Sequence, residues 1–197
     1  MILACKKCRR ENEKLMLKGE RCASPKCAMV KRPYAPGQHG QSFRGKISEY
    51  GKQLREKQKA RRIYGIGEQQ FSLYAQKADK IEGNTAENLL SLLERRLDNV
   101  LYRLGFASSR SSARQIVSHG RFMVNGKKVS IPSFLVKPGD KISPIKKDAF
   151  KDAMSENTAT WISFDKKNMT ADVNHLPTRE EIDTTVNESL IIEFYSR

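Results

Sequence analysis

The chain of 197 residues carries 37 Lys and Arg against 22 Asp and Glu, a formal net charge of +15 with a pI near 9.8. That length supports one sizeable core or two small ones and leaves no room for a catalytic domain beside a set of binding modules. No apolar run approaches the ~18 residues of a membrane helix, and "MILA" is too short for a signal-peptide apolar region; a soluble protein with a polyanionic partner is expected.

All four cysteines fall at the start, as Cys5-x-x-Cys8 and Cys22-x-x-x-x-Cys27. Two close pairs separated by a short loop predict two knuckles that close one tetrahedral thiolate site. Lys6, Lys7, Arg9, Arg10, Arg21 and Lys26 surround the pairs and would offset the charge of four thiolates. Nothing marks the chain as secreted, so one zinc ion is favoured over two disulfides, with an iron–sulfur cluster on the same cysteines as the alternative. Four thiolate ligands leave no open position for catalysis, and the metal would serve to fold a segment too polar to fold alone. The Pro- and Gly-rich stretch "KRPYAPGQHGQSFRG" follows as a loop. With Arg9 and Arg10 before it, its Arg32, Tyr34, His39 and Arg44 can lay positive charge and an aromatic face along an RNA strand.

"SEYGKQLREKQKARRIYG" predicts a helix from near Ser48 to Gly65. It is polar on all sides, and its Arg55, Lys57, Lys59, Arg61 and Arg62 repel one another unless an anionic surface lies alongside, which points them at phosphate. "EQQFSLYAQKADKIEG" places Phe71, Tyr74, Ala75 and Ala78 on one core-facing side. "NTAENLLSLLERRLDNVLYRLG" reads as one helix opened by Asn84 and Glu87 in capping-box spacing and stopped by Gly105. Its apolar stripe is Leu89, Leu93, Leu97, Val100, Leu101 and Leu104, and Arg96, Asn99 and Arg103 form a basic back.

In "ASSRSSARQIVSHGRFMVNGKKVSIPSFLVKPGDKI", Ser108 or Ser109 caps a short helix that Gly120 closes. Ala113, Ile116 and Val117 face inward, while Arg110, Arg114, Gln115 and His119 face out. Alternation through Phe122 and Val124, the tight-turn pair Asn125-Gly126, and "KPGDKI" before another strand predict a small basic antiparallel sheet. A helix pair on such a sheet suits structured RNA, gripped by shape and phosphate. The acidic end holds the only tryptophan, Trp161, and closes with "ESLIIEFYSR", too apolar for a free tail; it is expected to return and pack on an earlier domain, its carboxylates facing a protein neighbour or the basic surface.

Charge is segregated along these elements. Residues 1 to 65 hold 18 basic and 5 acidic side chains, residues 66 to 94 hold 2 and 5, residues 95 to 147 hold 12 and 2, and residues 148 to 197 hold 5 and 10. Two basic blocks of this density predict two nucleic-acid surfaces rather than solvated faces. His39, His119 and His175 stand in unrelated contexts, no nucleophile, metalloprotease or phosphate-loop motif is present, and no residue needs a catalytic explanation.

Four stretches, "GERCASPKCAMVKRPYAPGQHG", "LREKQKARRIYGI", "LERRLDNVLYRLGFASSRSSARQIVSHGRFMVNGK" and "VNESLIIEFYSR", together resemble the S-four family of bacterial-type small-subunit ribosomal proteins over essentially the whole chain. The resemblance implies an α+β fold: a cysteine metal knuckle over 1–44, a mainly helical domain over 45–94 completed by 148–197, and an inserted small α/β RNA-binding module over 95–147. It implies a primary binder of 16S ribosomal RNA that nucleates assembly of the subunit body in the cytoplasmic ribosome, with an organellar ribosome as the alternative. Contact with protein S-five is implied, as is an influence, with S-five and S-twelve, on translational accuracy; messenger RNA near its entry side is a further partner. Carried over residue by residue, the metal ligands fall on Cys5, Cys8, Cys22 and Cys27. The module's RNA contacts fall on the helix from Ser108 to His119, with Ser109, Arg110, Arg114 and Gln115, and on the turn from Arg121 to Lys128, with Asn125, Lys127 and Lys128. Two rivals stand beside this reading: an RNA-modifying or aminoacylating enzyme that borrows the module, and a zinc-containing RNA-binding regulator found off the ribosome.

Overall fold

The computed structural model describes residues 2–42, 46–150 and 159–196. The chain forms two compact units, one of residues 1–75 with 185–197 and the other of residues 76–184.

In the first unit, α1 (Ile2–Glu11), α2 (Glu20–Ala23) and α3 (Ala28–Lys31) are followed by α4 (Glu49–Ile63) and α5 (Glu68–Asp79), whose last turn belongs to the second unit. Ser48 begins α4 as expected, its Oγ accepting the Gly51 N–H at 3.2 Å. Phe71, Tyr74, Ala75 and Ala78 of α5 are all buried. The C-terminal helix α9 (Glu188–Tyr195) packs along α4, so the apolar end does return to an earlier part of the chain. The Gln53 amide donates to Glu193 at 2.9 Å, the Asn187 N–H to Glu56 at 3.1 Å, and the rings of Phe71 and Tyr195 stack with centroids 6.3 Å apart.

The anionic surface that the cations of α4 were expected to find in phosphate is supplied by the chain itself. Gln53, Lys57, Lys59 and Ala60 are buried, because acids distant in sequence line the helix. Lys57 Nζ meets Glu68 at 2.5 Å, Lys59 Nζ meets Glu13 at 2.7 Å, and Glu11 takes both Arg55 and Arg62.

The second unit contains α6 (Thr85–Glu94), α7 (Leu97–Arg103), α8 (Arg110–Ser118) and strands β1 (Phe122–Val124), β2 (Lys127–Val129), β3 (Lys141–Pro144), β4 (Ile162–Asp165) and β5 (Thr170–Val173). The expected single helix over 84–105 is two. The capping box forms as read, Asn84 Oδ1 accepting the Ala86 N–H at 3.0 Å and Asn84 Nδ2 donating to Glu87 at 3.0 Å. The helix breaks at Arg95–Arg96, because the backbone there pairs instead with residues 134–136: Leu97 N–H donates to Phe134 O at 2.8 Å and Val136 N–H to Arg95 O at 3.0 Å. The apolar stripe from Leu89 to Leu104 is still wholly buried, since both helices turn the same face inward.

The five strands form one antiparallel sheet in the order β2-β1-β3-β5-β4. The β1–β2 hairpin turns at Asn125 and Gly126 with φ of 51° and 75°, the left-handed pair that matches strand twist in a two-residue loop. One sheet face, carrying Phe122, Val124, Ile142, Ile162, Ala171 and Val173, packs with Trp161 on Val100, Leu101, Leu104, Phe106, Ala113 and Val117. Each buried Val, Leu, Ile or Phe side chain contributes about 1.5–3 kcal/mol, and this core holds α7 and α8 against the sheet. Strands β4 and β5, around Trp161, extend the small sheet expected for the module; only residues 185–197 belong to the helical unit.

Candidate nucleic-acid interface

Three of the cysteines lie on short helices and the fourth immediately precedes one. Cys5 and Cys8 stand one turn apart on α1, Cys22 is in α2, and Cys27 is the N-cap of α3. Helical spacing of three puts the first two on one face, and all four line a single cavity with Leu17, Lys18, Arg21 and Met29. Burial pushes the Cys8 thiol up; a hydrogen bond from the Leu15 backbone works against this, while the closeness of Cys22, Cys5 and Cys27 adds to it. The Lys18 N–H donates to Cys22 Sγ at 3.3 Å. Among the described residues no cysteine pairs in a disulfide, and no three His, Cys, Asp or Glu side chains stand in a ligating arrangement. The donor set nonetheless fits a thiophilic ion: four thiols on one cavity, backbone N–H groups aimed at two of them, and basic residues at its rim.

The nearby cations divide into two sets. Arg9 Nε donates to Tyr34 O at 2.8 Å and the guanidinium lies 4.9 Å from the Tyr34 ring centroid, so these two residues brace the loop together. Arg10, Arg32 and His39 are exposed, and Arg44 lies outside the described residues. On α4 the five expected phosphate contacts are occupied within the chain. Lys57 and Lys59, 5% and 7% exposed, are structural cations rather than surface ones, Lys59 also donating to Thr185 O at 2.7 Å. Lys57 Nζ in addition sits 4.3 Å from the Phe194 ring centroid. Arg61 holds Glu68 at 3.0 Å; Arg55 and Arg62 hold the buried Glu11 side chain. Burial pushes the Glu11 carboxyl above its usual range despite Arg62 and Arg55, and burial likewise lowers the Arg62 guanidinium. Among the described residues the exposed cations of this unit therefore sit ahead of α4, on Lys6, Lys7, Arg10, Lys14, Arg21, Lys26, Lys31, Arg32 and Lys46, apart from Lys52 on α4, which pairs with Glu49.

On the second unit, α7 and α8 carry a layer of arginines over buried partners. Arg103 donates to Glu94 through Nε at 3.0 Å and Nη2 at 2.9 Å, a bidentate fork. Arg114 donates to Asp98 Oδ2 through Nε at 2.9 Å and Nη2 at 2.6 Å, and Arg110 Nε donates to Asn99 Oδ1 at 2.7 Å. Arg96, expected on the outer face, is 2% exposed and forks onto Asp98 at 3.0 and 2.8 Å. Ser109, offered as an RNA contact, is buried and accepts the Ser112 N–H, so its hydroxyl caps α8. Gln115 and His119 are exposed on the same helix.

Arg121, Lys127 and Lys128 are exposed along β1 and β2. Asn125 spends its amide within the protein, donating to Asp140 at 2.8 Å and accepting from Lys141 N–H at 2.9 Å, which fixes the hairpin tip against the β3 turn. Gly120, with φ of 62°, lies under Lys128, whose Cε would stand 2.3 Å from an added Cβ. Sequence reasoning missed Glu94, Asp98 and Tyr102. A signal existed for Asp98: residues 95–147 contain only two acids, Asp98 and Asp140, and both prove to organise basic neighbours or turns.

Residues 4–94 match the family described as "Ribosomal protein S4/S9 N-terminal domain", and residues 95–142 match the "S4 domain". The chain is 57% identical to the "Small ribosomal subunit protein uS4" of Syntrophomonas wolfei, covering 98% of this chain and 96% of the relative. It is 56% identical to the protein of the same name from Pelotomaculum thermopropionicum, with the same coverage. The protein of that name from Dictyoglomus thermophilum is 54% identical, again over 98% and 96%. A chain that carries both domains in this order, at such identity over nearly its full length, belongs to the small ribosomal subunit protein uS4 family.

Proposed function

We propose that this protein is a structural component of the small ribosomal subunit, a primary binder of 16S ribosomal RNA that nucleates assembly of the subunit body. The carrying observation is the layer of Arg103, Arg110 and Arg114 on α7 and α8, next in sequence to the exposed Arg121, Lys127 and Lys128 and inside the segment matching the S4 domain. Such a surface suits an RNA duplex or junction, whose deep groove admits few side chains and which is held through phosphate and shape. Lysine and arginine there displace condensed counterions, giving an affinity that falls steeply with salt. The exposed cations of the first unit supply a second contact. A neighbouring protein S-five, an effect with S-five and S-twelve on translational accuracy, and messenger RNA near its entry side extend the same reading, and the ribosome is the expected location. Ribosomal relatives along the whole chain favour this over a modifying enzyme.

Chemical footprinting on naked small-subunit ribosomal RNA, at salt that suppresses non-specific binding, tests it. A discrete protected junction with no other ribosomal protein present is expected; diffuse or absent protection would refute a primary role. Cosedimentation with small subunits through a moderate-salt gradient separates this reading from that of a free regulator.

The reading includes one zinc ion held by Cys5, Cys8, Cys22 and Cys27, with an iron–sulfur cluster as the alternative at the same thiols. The shared cavity and the N–H groups aimed at Cys8 and Cys22 support it. Zinc would supply cross-linking of α1, α2 and α3 and no chemistry on RNA. Elemental analysis of protein purified without added metal is expected to give one equivalent of zinc; iron would select the alternative, and neither would end the idea.

A further inference from the structure

We propose that Glu94, Asp98 and Asn99 are positioning residues for RNA binding: buried beneath α7 and α8, they hold the guanidinium groups of Arg103, Arg110 and Arg114 in the orientations that engage phosphate. The inference rests on the RNA-binding reading above and assigns a role within it to three residues of the protein interior.

These three partners are 1%, 2% and 1% exposed, so each is held by the core rather than by solvent. They form two connected sets. Asn99 Nδ2 donates to Glu94 Oε2 at 2.7 Å and to Glu94 O at 3.1 Å, while its Oδ1 takes Arg110 Nε; Glu94 takes the fork of Arg103. The Arg110 guanidinium lies 4.4 Å from the Tyr102 ring centroid, so it is fixed on one edge and one face. In the second set Asp98 takes two forks, from Arg96 and from Arg114.

Charge balance separates positioning from simple neutralisation. Asp98 holds the guanidinium of Arg114 as well as that of the buried Arg96, so it sets the orientation of a second cation besides offsetting the first. A planar guanidinium recognises phosphate only from a defined direction, so holding it beforehand is worth more than the same charge on a loose stem. The two accounts predict opposite signs. Removing the negative charge of Asp98 or Glu94 makes the face more positive and should tighten RNA binding if bulk charge governs it. Binding should weaken if orientation governs it.

The experiment measures binding of the full chain to transcribed small-subunit ribosomal RNA across a salt series, for wild type, Glu94→Gln, Asp98→Asn, Arg114→Lys and Arg114→Gln. Far-UV circular dichroism confirms the folded state of each. We expect Glu94→Gln and Asp98→Asn each to weaken specific binding about tenfold and to lower the salt slope by about one. Arg114→Lys should lose nearly as much as Arg114→Gln. Variants of either acid that bind as tightly as wild type or more tightly, with unchanged slope, would overturn the proposal, as would Arg114→Lys behaving as wild type. Should Asp98→Asn unfold because Arg96 is left buried and unbalanced, Arg114→Lys decides, since it leaves Asp98 paired with Arg96. Wild-type protein with no specific binding would instead overturn the RNA-binding reading itself.

Discussion

Replacing Lys57 by Met tests whether the dense cations of α4 belong to the RNA surface or to the protein interior. Lys57 is 5% exposed, donates to Glu68 at 2.5 Å and lies 4.3 Å from the Phe194 ring centroid on α9. Methionine keeps most of the apolar stem and removes the ammonium. The loss is one hydrogen bond between charged groups, about 1.5–3 kcal/mol, and the cation–π contacts with Phe194 and, more distantly, Tyr195, together about 0.5–2 kcal/mol. Two features reduce it. Glu68 keeps Arg61 at 3.0 Å and the Tyr195 hydroxyl at 3.3 Å and is 42% exposed, so it is not stranded; and the desolvation cost of the buried ammonium disappears. The net expectation is a loss of about 1–3 kcal/mol in urea unfolding followed by far-UV circular dichroism at neutral pH. The salt slope of RNA binding, measured well below the unfolding midpoint, should stay at the wild-type value. An exposed cation should do the reverse: Arg32→Gln should lower the slope by up to about one and leave stability within about 0.5 kcal/mol. A Lys57→Met protein of unchanged stability whose slope drops by about one would refute the assignment of Lys57 to the interior.

Three further outcomes follow from the second unit. Phe106 meets Phe122, Phe150 and Phe164 edge-on at centroid distances of 5.0, 5.7 and 5.6 Å, so Phe106→Ala should cost about 3–5 kcal/mol in urea unfolding, whereas a cost below about 1 kcal/mol would mean the cluster is not packed as described. Burial pushes the Glu181 carboxyl up, but hydrogen bonds from Thr160, the Thr178 backbone, His175 and the Thr178 hydroxyl outweigh it and hold the group down to about 2 from an ordinary 4.5. A depressed carboxyl contributes stability that is fully present above its unfolded value and lost as pH falls through its folded one. The thermal midpoint should therefore drop between pH 4.5 and about 2 by a part that Glu181→Gln lacks, and parallel curves for the two proteins would contradict this. Gly120→Ala introduces a Cβ at a φ of 62° and displaces Lys128; unfolding measurements should register a loss of about 1–2 kcal/mol, and RNA binding should weaken with it, while an unchanged protein would place Lys128 elsewhere.

Much of the fold was legible because its signals are local. Caps at Ser48, Asn84 and Ser109, the Asn125-Gly126 turn and the stripe from Leu89 to Leu104 each lie within a few residues of what they specify. The break at Arg95–Arg96 was not legible, since it is made by residues 134–136, some forty positions away, and local propensity through "LERRLDN" is helical. Strands β4 and β5 escaped for a different reason: "ISFD" and "TADV" are four residues each, and half their positions face solvent with polar side chains. The cysteines were readable as a set, yet spacing of three is equally the spacing of one helical turn, and only the surrounding fold decides between a knuckle and α1.

The candidate site divides along the same line, and charge shows why. A lysine or arginine announces itself in a sequence, but its role depends on whether an acid reaches it, and that acid is rarely adjacent. In α4 the partners come from Glu11 and Glu13 some forty-five residues earlier and from Glu68 beyond the helix end. Such a helix does need an anionic surface alongside, and here the surface is the protein's own. In residues 95–147 the acid Asp98, one of only two, converts Arg96 into a core residue and Arg114 into an oriented one. Scarce acids inside a basic block are thus better guides than the abundant bases: Glu11, Glu13 and Glu56 mark the cations the fold consumes, and Asp98 marks those it aims. By that criterion the cations left for phosphate on the proposed reading are those ahead of α4 in the first unit and those of α7, α8 and the β1–β2 hairpin in the second, while five cations of α4 are spent on acids and aromatic rings of the first unit itself.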